Sequence, residues 1–251
     1  MKLGKLPYEH DQRTLFLGEF LKVPFVPEQY DFDKGRAAFP SEIWGNDKWE
    51  NGVVVAMAHG VLRLRRLETR RSTQVSETDV IRMYQLMTGA QKIGDVKDKG
   101  MTVLGMLKFW KKLGFYKAAW STSHLISIYG ELDPLDHEQL RAACFLLGGI
   151  FLGFQLPDTA RDQFLLEKRW QTPGSRPGTW GGQLVYAKKF DNEHFYGTVW
   201  GSQVQITNDF ISKYCDECWA VLNSTGRWRF DTGFDIPALL ARVTSIQPGG
   251  G

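Results

Sequence analysis

The sequence predicts an α+β protein, and three observations carry that reading. Apolar residues recur at helical spacing in several segments between residues 53 and 147. Runs rich in β-branched and aromatic residues dominate from residue 183 onward. Between the two lies 172–182, with two Pro, four Gly and no apolar residue except Trp180, which reads as a loop and the best internal boundary. Helices followed by strands imply a helical lobe packed on an antiparallel sheet.

The 251 residues, 43% hydrophobic and 24% charged, have the proportions of a globular protein. A chain of that length buries about three quarters of its unfolded surface. The 31 Lys and Arg against 28 Asp and Glu leave a net charge of only +3, too little to imply a nucleic-acid or membrane partner by itself. Three Cys cannot pair completely, so free thiols and a reducing compartment are expected. Early charges at Glu9, His10, Asp11 and Arg13 leave no apolar signal-peptide core. The most apolar run, Ala142 to Leu156, is interrupted by glycine and too short to span a bilayer.

Residues 1–50 read as an extended arm, because Pro7, Pro24, Pro27 and Pro40 forbid long helices and 44–47 read as a turn. Val53 to Leu67 is apolar on nearly every side and ends in arginines, which predicts a buried helix, although its β-branched start leaves a strand open. Ser76 with Asp79 forms a capping-box pattern for a helix that Gly89 stops. Met101 to Leu113 is a third helix, ended by Gly114. Leu125 to Tyr129 reads as a short strand, Asp133-Pro134 as the start of a helix ending at Gly148-Gly149, and Ile150 to Leu156 as a buried strand. Strands follow at Gln183 to Phe190, Phe195 to Trp200 and Trp219 to Leu222, with a short helix at Thr207 to Tyr214. Pro237 to Val243 is a last helix behind an Asp235 cap, and 247–251 a tail.

Each chemically capable residue has a plainer reading beside the functional one. Cys144 sits on an apolar helical stripe, where cysteine is a small hydrophobe. Cys215 and Cys218 form a CxxC without the further ligands zinc needs or the strand-to-helix entry of redox motifs. His124 and His137, with Asp133 and Asp136 nearby, fit a solvated helix cap better than a metal site, and no metal or cofactor is expected. Arg63, Arg65, Arg66, Arg70 and Arg71 are either a solvated helix end or a patch for phosphates or an acidic partner. Most tryptophans, including Trp110, Trp120, Trp180 and Trp200, are core candidates; Trp44 and Trp49 are alternatively interface anchors.

Several short motifs recur in a recognisable order. The chain opens Met-Lys-Leu-Gly-Lys at 1–5 and runs through the Pro-rich arm to Gly45-Asn46-Asp47 and Glu50-Asn51-Gly52. Leu107-Lys108-Phe109-Trp110, Ile150-Phe151-Leu152-Gly153, Gly178-Thr179-Trp180, Gly181-Gly182-Gln183, Val199-Trp200-Gly201 and Tyr214-Cys215-Asp216-Glu217 follow. In this order, across essentially the whole chain, the sequence resembles a papain-like family of tailed-phage and prophage proteins. The resemblance implies a papain-like fold, with residues 1–50 as an arm and 51–251 as one domain, mainly helical over 51–171 and mainly β over 172–251.

The departures from the family pattern fall where its chemistry would be. A thiol peptidase needs a thiolate at a helix N-terminus, an imidazole beside it and a group to orient that imidazole. The resemblance puts the nucleophile position on Gly52, the base position on Gln183 and the orienting position on Thr198. Glycine has no reactive side chain, and an amide takes no proton at neutral pH. Asn46, six residues before Gly52, matches the family's oxyanion amide, and His59 matches a family histidine that reads as structural here.

The expected function is therefore that of a pseudoenzyme. It would be made in the bacterial host cytoplasm and have a structural or accessory role in a virion, on the head or its connector, with other virion proteins as partners. No membrane is expected, and nucleic acid only through the Arg63 to Arg71 cluster. Two alternatives stand beside it: a cysteine peptidase in an inactivated form, and a non-cleaving peptide-binding module in which Asn46 and the Gly181-Gly182 backbone hold a peptide carbonyl.

Overall fold

The computed structural model describes residues 1–22, 25–35, 39, 41–118, 123–223 and 233–246. Pro24, Pro40, Trp120 and the expected tail at 247–251 lie outside those residues. Helices α1 (Gly52–Thr69), α2 (Glu77–Thr88) and α3 (Val103–Lys112) come first, after an arm holding a 3-10 turn (Leu17–Phe20) and the short strand β1 (Tyr30–Asp31). There follow β2 (Ile128–Leu132), α4 (His137–Leu147), β3 (Ile150–Leu156) and α5 (Asp158–Leu165). The chain ends with β4 (Gly181–Phe190), β5 (His194–Val199), β6 (Ser202–Thr207), α6 (Asn208–Tyr214), β7 (Cys215–Leu222) and α7 (Ile236–Ile246).

Every named strand pair is antiparallel, in the order β2-β7-β3-β4-β5-β6, with β1 added against β4. Side chains alternate across this sheet and build two cores. Phe151, Leu184, Tyr186, Trp219 and Val221 pack with α1, α2 and α3. Ile150, Leu152, Phe154, Val185, Ala187, Cys218 and Ala220 face the opposite way, onto α4 and α6. The result is three layers: helices, sheet, helices.

Helix α1 forms despite three successive valines because every residue from Gly52 to Leu64 is buried, so packing outweighs the modest helix cost of β-branching. The expected capping box is present in α2: Ser76 accepts from the Asp79 N–H, and Asp79 accepts from the Ser76 N–H at 3.0 Å.

Four local expectations change. The strand expected over Leu125 to Tyr129 lies three residues later, pairing Ile128 with Leu222 and Leu132 with Cys218. Asp133-Pro134 makes a turn ahead of α4, Asp133 accepting from the Leu135 N–H at 2.8 Å, and the cap is Asp136, which accepts from the Gln139 N–H at 2.9 Å. Helix α5 escapes sequence reading because only Ala160 of its eight residues is buried, so there is no apolar stripe to see. Strand β6 is an edge strand that alternates Gln203, Val204, Gln205 and Ile206, with Val204 and Ile206 inward. Strands β2 and β3 precede residue 172, so the sheet draws on both sides of the Gly- and Pro-rich loop.

Among the described residues the arm has no long helix, and it packs on its own domain. Leu15 and Leu17 are buried, Phe16 bridges to Glu131, and residues 1–6 enter the space between α1 and the start of β4.

Candidate functional site

Three of the positions singled out in the sequence meet where α1 begins beside β4. The Gly45-Asn46-Asp47 turn, with Gly45 at φ 78° and Trp44 at φ 42°, points the fully buried Asn46 side chain back toward Gly52. Asn46 Nδ2 donates to the Trp49 carbonyl at 3.2 Å and to the Leu3 carbonyl at 3.1 Å. The Gly52 N–H, one of the unpaired donors at the head of α1, reaches the same Leu3 oxygen at 3.1 Å. Two N–H donors therefore converge on one carbonyl. Gln183 closes the group from β4, donating from Nε2 to Asn46 Oδ1 at 3.1 Å.

The site is full. A β-carbon built on Gly52 would stand 2.1 Å from Gln183 Oε1 and 2.7 Å from the Leu3 carbonyl oxygen. Gln183 Oε1 is itself buried and, among the described residues, accepts no hydrogen bond. Thr198 lies elsewhere on the sheet, opposite Tyr186 and Gln203 in the ladders, and among the described residues it makes no hydrogen bond to Gln183.

Residues 1–6 fill the rest of the groove in an extended run. Lys2 donates its N–H to the Asn46 carbonyl at 2.8 Å, and its own carbonyl accepts from Trp200 Nε1 at 2.6 Å. The Leu3 N–H goes to Glu50 Oε2 at 3.1 Å, and the Gly4 carbonyl accepts from the Met101 N–H at 2.9 Å. Lys5 donates its N–H to the Gly182 carbonyl at 3.1 Å, and Leu6 donates to the Met101 carbonyl at 3.0 Å. The Leu3 side chain lies over Gly181. Gly182 thus accepts a backbone N–H of the chain's own strand, while Gly181 meets the Leu3 side chain.

Lys5 anchors the run electrostatically. Its side chain is wholly buried, with Nζ 2.9 Å from Asp216 and 2.9 Å from Glu217 at the start of β7. Gln155 Nε2 also donates to Asp216 and Trp219 Nε1 to Glu217, at 2.9 and 2.6 Å. Burial raises the Glu217 carboxyl above its ordinary range, and Lys5 offsets only part of that. Nearby, Glu131 is also raised by burial, and accepts the Tyr8 hydroxyl at 2.8 Å.

A search of family models found no match, and a search of curated proteins found none. Solved structures do match. Xylellain, a cysteine protease from Xylella fastidiosa, aligns over 88% of this chain and 96% of its own, with TM-score 0.65 and 16% identity. The Carica candamarcensis cysteine protease CMS1MS2 aligns over 79% and 99%, with TM-score 0.59 and 14% identity. Procathepsin L 3 of Tenebrio molitor aligns over 88% and 75%, with TM-score 0.59 and 10% identity. The chain has a papain-like fold. At these identities the likeness extends to the fold, so the chemistry of this papain-like chain has to be argued from its own groove.

The remaining candidates go elsewhere. Trp44 and Trp49 are core residues, 3% and 7% exposed, Trp44 packed at a tilt on His59 and Trp49 edge-on to Tyr84, so neither offers a face to a partner. Trp44 turns inward because the tight turn at 44–45 folds it onto α1. His59 is fully buried, and burial, with Arg63 and Lys188 nearby, holds it neutral.

Arg63 and Arg66 are neither solvated nor available to phosphates. Both are buried on Asp33, at 2.9 and 3.4 Å, together with Lys188, and Arg66 lies over the Phe39 ring. The sequence reading failed here because Asp33 sits in the arm, 30 residues upstream of Arg63. Arg65 pairs loosely with Glu68 at 3.8 Å.

His124 is buried between Trp110 and Glu68, while His137 contacts Ser212. Among the described residues no three His, Cys, Asp or Glu side chains are grouped to hold a metal ion. Cys144 is wholly buried, and burial pushes its thiol far up; the Cys215 and Cys218 sulfurs share a hydrogen bond at 3.4 Å and form no disulfide. No helix of the described residues is long and apolar enough to cross a membrane. What sequence reasoning missed is Leu3, Glu50 and the Lys5 anchor. The only signal was the charged Lys2-Leu3-Gly4-Lys5 stretch and the Asp216-Glu217 pair, whose meeting depends on the fold.

Proposed function

We propose that this chain is a catalytically inactive papain-like protein, a pseudoenzyme used for its rigid surface rather than for peptide hydrolysis. The observation that carries the reading is the filled space above Gly52, where a thiol would need to stand. No nucleophile occurs at the head of α1, the neighbouring Gln183 amide cannot act as a base, and the two-donor pocket holds a backbone carbonyl of the chain itself. A hole of this kind stabilises a developing oxyanion only when a reacting carbonyl can enter it.

The role is structural or accessory, in a tailed-phage or prophage particle, associated with the head or connector through other virion proteins. That setting rests on the sequence resemblance, and mass spectrometry of purified particles tests it: a fixed ratio to the major capsid protein supports it, and absence from particles removes it. The catalytic part is tested separately by the double substitution Gly52→Cys and Gln183→His, probed with a thiol-reactive peptide. No labelling at residue 52 and no peptide cleavage are expected; turnover would restore the peptidase reading.

A further inference from the structure

We infer that the groove is a sequence-selective receptor for the strand Lys2-Leu3-Gly4-Lys5, and that a second copy of this chain can donate that strand in trans. The inference deepens the non-cleaving reading above by naming the groove's partner.

The strand is held as a separate peptide would be. Its paired backbone groups, from the Lys2 N–H to the Leu6 N–H, all bond to residues at least 43 positions away: Asn46, Glu50, Gly52, Met101, Gly182 and Trp200. No backbone hydrogen bond joins residues 7–14 to the body, among the described residues, until the Leu15 carbonyl accepts from Glu131 at 2.8 Å. The intervening span is mostly exposed and touches the body through side chains, as in Tyr8 to Glu131, Glu9 to Thr102 and Asp11 to Lys108. Eight extended residues reach about 26 Å, enough to lead the strand out to a neighbour. Exchange of identical elements joined by such a span costs little, because each groove ends filled by the same strand making the same hydrogen bonds.

Selectivity is built in at two positions. Gly4 has φ 131°, and a β-carbon there would lie 2.3 Å from the Glu50 carbonyl oxygen, which is backbone and cannot step aside. Lys5 must reach the buried Glu217 carboxylate and the half-buried Asp216 carboxylate through a fully enclosed stem. An extended peptide lacking Gly followed by Lys in this register would meet a clash or leave acids uncompensated.

The test removes residues 1–6 and, once circular dichroism and a cooperative melt show that the variant is folded, titrates it with the peptide Met-Lys-Leu-Gly-Lys-Leu. Saturable binding is expected, weakened at least tenfold by alanine at the fourth or fifth peptide position. If the deletion variant does not fold, full-length Gly4→Val, whose own strand cannot seat, takes its place. No binding to a folded variant, or binding indifferent to those alanines, overturns the receptor.

The second copy is tested by shortening 9–14 by three residues and measuring mass by light scattering. Dimers are expected that revert to monomer when Gly4→Val is added; monomer throughout overturns exchange. Mass spectrometry of the bound peptide separates the two readings. Cleaved peptide would sink the non-catalytic reading and leave the receptor standing, whereas intact but unbound peptide would do the reverse.

Discussion

Gln183 and Asn46, separated by 137 positions in the chain, share a buried hydrogen bond of 3.1 Å from amide to amide. It fixes which way the Asn46 side chain points: with its oxygen committed to Gln183, its nitrogen must face the Leu3 and Trp49 carbonyls. A group that cannot take a proton thus serves to orient a donor.

Replacing Asn46 by alanine should lower stability by about 2–4 kcal/mol, because it removes a buried donor to two carbonyls and strands the Gln183 amide. Urea denaturation measures the loss. A cost below about 1 kcal/mol would mean that water enters and satisfies the three groups left behind.

Gly52→Ala should destabilise rather than stabilise, although alanine is the better helix former. The added methyl meets Gln183 Oε1 and the Leu3 oxygen, and overpacking of that kind costs about 1–3 kcal/mol. Deleting residues 1–6 should remove part of that penalty, so a double-variant comparison of melting midpoints checks whether Leu3 is the obstruction.

Asp33→Asn should be among the most damaging single changes, at about 3–5 kcal/mol, since it leaves Arg63, Arg66 and Lys188 buried around a neutral amide. Burial alone would raise the Asp33 carboxyl, but Arg63 and Lys188 outweigh it and hold the carboxyl below its ordinary value. A depressed folded value stabilises the protein above the unfolded pKa near 4 and is lost as pH falls through the folded value. Acid titration of the melting temperature should therefore show a fall at low pH that is smaller in Asp33→Asn.

Lys5→Met should reverse the local sign. Glu217, already raised, loses its cation and rises further, and a raised carboxylate contributes stability below its unfolded pKa that disappears as pH climbs through the folded one. The variant should lose more stability relative to the parent at pH 8 than at pH 5. Calorimetry at the two values decides it, and an equal loss at both would place the charge of Glu217 outside the energetics of this anchor.

The thiols should be silent. Burial holds Cys144 and Cys218 in their unreactive thiol form, and Cys218 also bonds with Cys215. A chromogenic disulfide reagent should titrate neither in the native protein and all three cysteines after unfolding. Rapid native reaction at Cys144 would contradict its enclosed position.

Much of the architecture was legible because its signals are local. The capping box at Ser76, the stop at Gly89 and the continuous apolar run Ile150 to Leu156 each need only neighbours in sequence to be read. Asn46, Gly52 and Gln183 meet at the head of α1, but only the fold brings them together. Arg63 and Arg66 were misread for the opposite reason. Their meaning depends on Asp33, Phe39 and Lys188, which reach them only once the arm and β4 are in place. The plugged groove was invisible on the same ground, since nothing in residues 1–6 announces where an extended strand will lie. Helix α5 hid because a helix with one buried residue carries no period.

Strand β7 lies between β2 and β3, although its residues come after those of every other strand. During synthesis, β2 and β3 must therefore wait for about 60 residues beyond β3, roughly 3–12 s at ribosomal speed, before the strand that joins them exists. Until then each presents an unsatisfied edge, open to chaperones or to a neighbouring nascent chain. A product ending before residue 215 would carry a split sheet, its β2 left apart from β3.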